Sequence, residues 1–207
     1  MSLRSSLFAL MYDRMTRKSE EAGMGAMREE LLAGAGGRVL EIGGGTGANL
    51  RFYGDEVESL VVTEPEAAML RRLRRKAVDE ASHAEITQAS AEGLPFADAS
   101  FDTVVSTLVL CGVDDQVQAV REIRRVLKPG GRLLFLEHVR SGDPDLARFQ
   151  DRINWLNRLM VDCDCNRPTL TTIKAEQFTI ESLEHAEMPK APKFVRPAIV
   201  GSAVAPG

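Results

Sequence analysis

Apolar residues recur along this chain with two different periods. From Ser2 to about Arg17, Leu3, Leu7, Leu10 and Met11 fall on one face at helical spacing, and a second helix is predicted from Met24 to Ala33, ending at the Gly34–Gly37 break. The period then changes. Arg38-Val39-Leu40-Glu41-Ile42 is a short β-branched run that stops at glycines, the pattern of a strand covered on both faces.

Strand and helix patterns alternate from there. Ser59–Thr63 predicts a strand, Pro65 to about Asp79 a helix with proline in its first turn, Ala84–Ala89 a weak strand and Phe101–Ser106 a strong one. Asp114–Leu127 reads as a helix capped by Asp114 or Asp115. Pro129-Gly130-Gly131 predicts a turn and Arg132–Glu137 a strand, followed by helical patterns from Asp145 to about Val161 and from Thr171 to Gln177. Two strands come last, Phe178–Glu187 and Ile199–Val204, around a connection holding Pro189, Pro192 and Pro197. The alternation implies parallel pairing with right-handed crossovers. The final two strands have no helix between them and are expected to form an antiparallel hairpin at one sheet edge. The fold class is therefore α/β, a doubly wound, mostly parallel, seven-stranded sheet.

Length and composition narrow this picture without changing it. A chain of 207 residues fits a single domain, 1–207, and no repeat divides it. Hydrophobic residues make up 44% and charged residues 27%, which excludes a disordered chain. A net charge of −4 gives no basic face, so no nucleic-acid partner is expected. The run Arg71-Arg72-Leu73-Arg74-Arg75-Lys76 reads as a solvated helix face rather than a phosphate-binding patch. No apolar run approaches the ~20 residues of a membrane span, and Leu7–Met11 is cut short by Tyr12-Asp13-Arg14, too short for a signal peptide.

The three cysteines, Cys111, Cys163 and Cys165, give no disulfide framework and suit a reducing compartment, so a cytoplasmic location is expected. Cys163-Asp164-Cys165 has no second Cys or His cluster nearby in sequence, short of the about four ligands a metal site needs, and no metal is expected. Cys111, at the end of an apolar run, reads as a buried packing cysteine.

The candidate chemistry begins at Glu41-Ile42-Gly43-Gly44-Gly45-Thr46-Gly47, directly after the first buried strand and before a helix predicted to start near Ala48 or Asn49. Glycines let a ligand approach the main chain, and a helix start presents N–H groups to it. In a doubly wound sheet this loop lies where the crevice forms. A phosphate-binding P-loop would need Lys-Ser/Thr, which is absent here, and the dinucleotide pattern G-x-G-x-x-G fits only as Gly43-x-Gly45-x-x-Ala48. Glu64 ends the next strand roughly 20 residues on, where an acid suits a ribose with two free hydroxyls; a helix-start acid is the plainer alternative.

These residues resemble the E/D-x-G-x-G-x-G motif of class I S-adenosylmethionine-dependent methyltransferases. Three later stretches match that family in order: Ala91-Glu92-Gly93-Leu94-Pro95-Phe96, Ser100-Phe101-Asp102-Thr103-Val104-Val105, and Arg125-Val126-Leu127-Lys128-Pro129-Gly130-Gly131-Arg132-Leu133. The likeness is to the branch that includes ubiquinone/menaquinone-biosynthesis and small-molecule methyltransferases. It implies a Rossmann-like fold and S-adenosylmethionine as cofactor, leaving as S-adenosylhomocysteine. It also implies parts: an N-terminal helical lid at 1–35, a cofactor-binding core at 38–137, acceptor-side helices at 138–177 and C-terminal strands at 178–204. Glu41 and Gly43 are expected near the methionine portion, Gly45 and Gly47 beneath the ribose and carboxypropyl chain, and Glu64 on the ribose hydroxyls. Pro65 and Glu66 are expected beside the adenine with Met69 flanking its ring, Ser90, Ala91 and Glu92 at its edge, and Thr107 at the methionine end. Tyr12 either closes over the cofactor or packs as an ordinary aromatic.

The acceptor side is less constrained, because methyl transfer needs alignment more than covalent help. Thr107-Leu108-Val109-Leu110-Cys111, Leu136-Glu137-His138-Val139 and Val195–Gly201 look like the branch that methylates thiols of small molecules. That branch ends a helix in Gly-Cys-(polar)-x-x-Arg, whereas this chain has Asp162-Cys163-Asp164-Cys165-Asn166-Arg167. A small-molecule thiol or phenol is the expected acceptor. His138, an imidazole and so a residue type suited to proton transfer, is the candidate for the catalytic role, or else bonds structurally with Glu137 or the Arg167 region. Arg140 and Arg167 read as surface pairs before anion binders. Two rivals remain: an NAD-dependent oxidoreductase, which leaves the later motifs unexplained and lacks a Tyr-x-x-x-Lys pair, and an inactive cofactor-binding regulatory protein on the same fold. The oligomeric state is not readable.

Overall fold

The computed structural model describes residues 14, 16–81, 83–161 and 163–207. The predicted helix from Ser2 to about Arg17, with Tyr12 in it, lies almost wholly outside the described residues. Seven strands are formed: β1 (Gly37–Ile42), β2 (Val57–Thr63), β3 (Glu85–Thr87), β4 (Phe101–Thr107), β5 (Leu127–His138), β6 (Thr179–Glu187) and β7 (Pro197–Val204). They make one sheet in the order β3-β2-β1-β4-β5-β7-β6. The first five pair in parallel, and β7 runs antiparallel to both β5 and β6. The predicted C-terminal hairpin is therefore present, with its second strand inside and its first at the edge. Chain order reverses between β1 and β4, which opens a crevice at their carboxyl ends.

Among the described residues the α-helices α1 (Gly25–Leu32), α2 (Ala67–Glu80), α3 (Gln116–Val126), α4 (Pro144–Val161) and α5 (Thr169–Ala175) accompany the sheet. Successive strand residues point to opposite faces, and both faces are covered. Leu40, Ile42, Val104, Leu133 and Phe135 pack on one side with Val120, Ile123 and Ile173. Val39, Leu60, Val62, Val105 and Leu134 pack on the other with Leu31, Leu32, Leu70 and Leu73. Asp115 caps α3, its carboxylate accepting from the Gln118 N–H at 3.0 Å. β5 takes in the predicted Pro129–Gly131 turn; its register against β4 jumps between Phe101 and Thr103, and Gly130 at φ 74° absorbs the irregularity. No helix among the described residues is long and apolar enough to cross a membrane.

One expected element is corrected. The glycine loop is followed not by an α-helix near Ala48 but by a single 3₁₀ turn, Leu50–Phe52. Tyr53 returns at once to extended backbone (φ −74°, ψ 125°), and Gly54 opens the turn into β2, its carbonyl accepting from the Val57 N–H. The segment is too short to hold both a helix and the reversal.

Candidate active site

Three loop glycines lie in the left-handed region, Gly43 (φ 57°), Gly45 (φ 58°) and Gly47 (φ 85°), where an L side chain is strained. Their surroundings differ. A Cβ on Gly43 would meet the Val109 side chain at 2.7 Å, one on Gly44 would strike Val62, and one on Gly47 would meet Leu50 at 2.8 Å, whereas a Cβ on Gly45 meets nothing within 4 Å. Gly43, Gly44 and Gly47 thus let the loop pack down on the end of the sheet. Gly45 borders open space.

The loop is tied to β2 by two hydrogen bonds. The Gly44 N–H donates to the Thr63 carbonyl and the Gly45 N–H to Glu64 Oε2, both at 2.8 Å. Glu64 Oε1 accepts from the Glu66 N–H at 2.8 Å. Burial pushes the Glu64 carboxyl up, and the Glu66 and Gly45 N–H groups pull it back. A carboxylate offers about four lone-pair sites, so these two bonds leave capacity for a ligand's hydroxyls.

Beneath the loop lies a buried polar network in which sequence alone had pointed only to Glu41 and Thr107. Glu41 accepts from Asn49 Nδ2 at 2.9 Å and from the Tyr53 hydroxyl at 2.8 Å. Burial drives its carboxyl up, against the bond from Tyr53, the charge of Arg28 and the bond from Asn49. Thr107 Oγ1 accepts from Asn49 Nδ2 and Arg28 Nη1, both at 2.9 Å, and Arg28 Nη1 also donates to Asn49 Oδ1 at 2.7 Å. Arg28 Nε pairs with Glu20 at 3.2 Å. Arg28, Glu41, Gly43–Thr46, Ala48, Asn49 and Thr107 line a cavity of about 30 Å³, room for about one water. A much larger depression of about 550 Å³, lined by Gly34–Gly36 and Lys128–Arg132 among others, opens at the amino ends of the strands. That end of a doubly wound sheet is not where ligands bind.

The other expected cofactor residues follow the carboxyl ends of β2 and β3. Pro65 is exposed, and its carbonyl accepts from Gln88 Nε2 at 2.9 Å, while Met69 and Ala91 are buried. The Ser90 hydroxyl donates to Glu92 Oε2 at 2.7 Å, and Glu92 Oε1 accepts from the Asp115 N–H at 2.6 Å. Glu92 therefore joins the 90–92 segment to the start of α3, and despite some burial the Asp115 N–H and Ser90 hydroxyl hold its carboxyl below the usual range. Tyr12 lies outside the described residues.

Beyond β4 and β5 the chain brings three separated residues together. His138 Nδ1 lies 3.7 Å from Cys111 Sγ and 3.5 Å from Cys163 Sγ. This corrects two expectations: Cys163 does have a Cys and a His beside it, and Cys111, although buried, faces polar partners. The bond with Cys111 and the imidazole of His138 hold the Cys163 thiol down at about 5 against its burial, while the same bond and burial push Cys111 well up. Glu137 is wholly buried and accepts from the Ser106 hydroxyl (2.7 Å) and from the Val109 and Cys111 N–H groups (3.0 and 3.3 Å). It shapes the loop that carries Cys111. Arg167 donates to the carbonyls of Leu110 (3.1 Å) and Val113 (2.6 Å) and to Asp164, so it braces the interior and is no surface pair. Arg140 does form one, with Asp151 at 2.8 Å.

The chain resembles known proteins in sequence and fold. Residues 40–135 match the family described as Methyltransferase domain. The chain is 31% identical to human Thiol S-methyltransferase TMT1A over 206 residues, 95% of this chain and 82% of that protein. It is 34% identical to Thiol S-methyltransferase TMT1B of Rattus norvegicus, over 98% of this chain and 84% of that protein. The Ubiquinone/menaquinone biosynthesis C-methyltransferase UbiE of Hahella chejuensis is 40% identical, over 56% of this chain and 49% of its own length. Among solved structures, the S-adenosylmethionine dependent methyltransferase from Mesorhizobium loti superposes with a TM-score of 0.66 at 23% identity, covering 88% of this chain and 97% of that one. The YcgJ protein of Bacillus subtilis gives 0.70 at 21%, covering 89% and 98%. Both share the fold.

Proposed function

The chain belongs to the class I S-adenosylmethionine-dependent methyltransferases, and on that premise we propose that it methylates a small-molecule acceptor, a thiol ahead of a phenol. The observation that carries the acceptor reading is the extent of the likeness. The relatives aligned over nearly the whole chain are named for thiol methylation, whereas the quinone-pathway relative aligns over about half of it.

The site's residues fit the cofactor. Gly45 borders open space, Glu64 retains lone pairs for the ribose hydroxyls, and Glu41, Asn49, Thr107 and Arg28 form a polar network around a one-water cavity under the loop, on the side proposed for the methionine portion. Gly43 and Gly47 hold the loop's path, and Pro65, Met69, Ser90, Ala91 and Glu92 form the adenine side. Arg28, on α1, reaches the cavity and is the residue that supports the proposed lid at 1–35. Bound there, S-adenosylmethionine supplies an electrophilic methyl group and leaves as S-adenosylhomocysteine.

The protein's remaining tasks are to align the acceptor and to handle its proton. Alignment is worth roughly 7–11 kcal/mol. A thiol with a pKa near ~8.5 is a few per cent ionised at neutral pH, so modest help suffices. His138, on the acceptor side with Cys111 and Cys163 against it, is the group placed to give that help. A panel of alkyl thiols, phenols, amines and quinols, scored by S-adenosylhomocysteine release, tests the reading. Turnover on thiols is the expected result, and turnover confined to amines or carbon acceptors would refute it.

A further inference from the structure

Cys111 Sγ and Cys163 Sγ approach the same atom, His138 Nδ1, at 3.7 and 3.5 Å, and the three atoms lie within 4.8 Å of one another. Around a tetrahedral ion with zinc–sulfur bonds of about 2.3 Å and zinc–nitrogen bonds of about 2.0–2.1 Å, sulfur and nitrogen ligands stand roughly 3.5–3.6 Å apart. The two observed distances lie within about 0.2 Å of that range. We propose that Cys111, His138 and Cys163 bind a zinc ion whose fourth position is open to the acceptor's thiolate.

The donor set selects the metal. Two thiolates neutralise a dication, a neutral imidazole completes the set, and thiolate with imidazole suits zinc, whereas magnesium and calcium take oxygen. Three protein ligands with one position left open is the arrangement of catalytic zinc; structural sites are closed by four. Cys165 is not the fourth ligand, since it is fully buried with its Sγ 3.6 Å from Asn154 Oδ1.

The ligands are already held in place. The Cys111 N–H donates to Glu137 Oε2, and the Cys111 carbonyl accepts from the Asp164 N–H at 2.8 Å, which locks the two cysteine segments together. The Cys163 carbonyl accepts from Asn157 Nδ2 at 2.6 Å. Cys111 is buried while His138 and Cys163 are part-exposed, so one side of the group stays accessible. The group sits past the carboxyl ends of β4 and β5, at the same end of the sheet as the glycine loop, because β1, β4 and β5 are parallel neighbours.

The metal site stands on these side chains, and its use on a thiol rests on the thiol reading above. On coordination the acceptor R–SH releases its proton to solvent and binds through sulfur as the thiolate, with no change of oxidation state. The sulfur keeps a lone pair for the methyl group.

The test uses the full chain, reduced and stripped with a chelator, then titrated with Zn²⁺ against a chromophoric zinc indicator. One zinc per chain is expected. C163S and H138A should each weaken binding by more than about a hundredfold, C165S should not, and S-adenosylhomocysteine binding measured on every variant reports an intact fold. Wild-type affinity no tighter than that of C163S and H138A overturns the site, as does recovery of a Cys111–Cys163 disulfide from zinc-treated protein. With Co²⁺ in place of zinc, a small alkyl thiol should shift the thiolate-to-cobalt charge-transfer band, and a band indifferent to thiols overturns the open position. Tight zinc binding with no thiol turnover refutes the thiol reading and leaves the metal site standing.

Discussion

The Gly45 N–H donates to Glu64 Oε2 at 2.8 Å, so the residue directly after β2 fixes the one loop glycine that borders open space. The acid both shapes the loop and presents its remaining lone pairs to whatever lies over it.

Glu64→Ala removes a charged acceptor from the proposed ribose site. Hydrogen bonds to charged groups are worth roughly 1.5–3 kcal/mol, so affinity for S-adenosylhomocysteine should fall about ten- to a hundredfold by calorimetry. Glu64→Gln, which keeps the shape, should lose less. Wild-type affinity in a folded E64A protein would remove Glu64 from the site.

Gly45→Ala and Gly44→Ala should behave oppositely. At Gly45 the left-handed backbone costs about 1–2 kcal/mol of stability, and the new methyl enters open space on the proposed ligand side, so cofactor affinity should drop in a folded protein. At Gly44 the methyl strikes Val62, an overpacking cost of about 1–3 kcal/mol. There the melting temperature should fall first. Equal cofactor affinity in G45A and wild type would show that the loop does not touch the ligand.

Arg125 joins α3 to the Leu94–Asp98 segment: Nη2 donates to the Leu94 carbonyl (2.9 Å), Nη1 to the Phe96 carbonyl (2.7 Å), and Nε to Glu122 Oε1 (2.8 Å). R125M leaves these acceptors without their donor and should cost about 2–3 kcal/mol. Arg125 also holds the Glu122 carboxyl below its usual range. Glu122's stabilising share is therefore present above the ordinary value of about 4.3 and is lost as pH falls through the lowered one. Urea midpoints of R125M should decline less below pH ~4 than those of the wild type, and parallel declines would contradict this.

His138→Ala should slow thiol methylation at pH 7 and recover much of that loss near pH 9, where a thiol of pKa ~8.5 ionises unaided. S-adenosylhomocysteine affinity should stay unchanged. Wild-type rates at both pH values would exclude His138 from the acceptor's ionisation.

The sheet was legible because strands covered on both faces leave continuous apolar runs, as at Leu60–Val62 and Leu133–Leu136, and because four glycines after β1 have few other uses. The helix after the loop was misjudged: Gly54 and the early start of β2 at Val57 left no room for it. Arg28, Asn49 and Tyr53 were not legible, since each reaches Glu41 or Thr107 from a separate segment without a spacing rule. The Cys111–His138–Cys163 group was hidden by sequence distance. The only available hint was that the residues following neighbouring parallel strands, here β4 and β5, must converge at one end of the sheet.

The central claim is methyl transfer from S-adenosylmethionine to a thiol. Incubating the chain with methyl-labelled S-adenosylmethionine and a small alkyl thiol, then quantifying labelled thioether by mass spectrometry, tests it directly. Label should appear in the thioether in step with S-adenosylhomocysteine, and the rate at low cofactor should drop in E64A. S-adenosylmethionine bound without any labelled thioether, across a broad set of thiols, would contradict the claim.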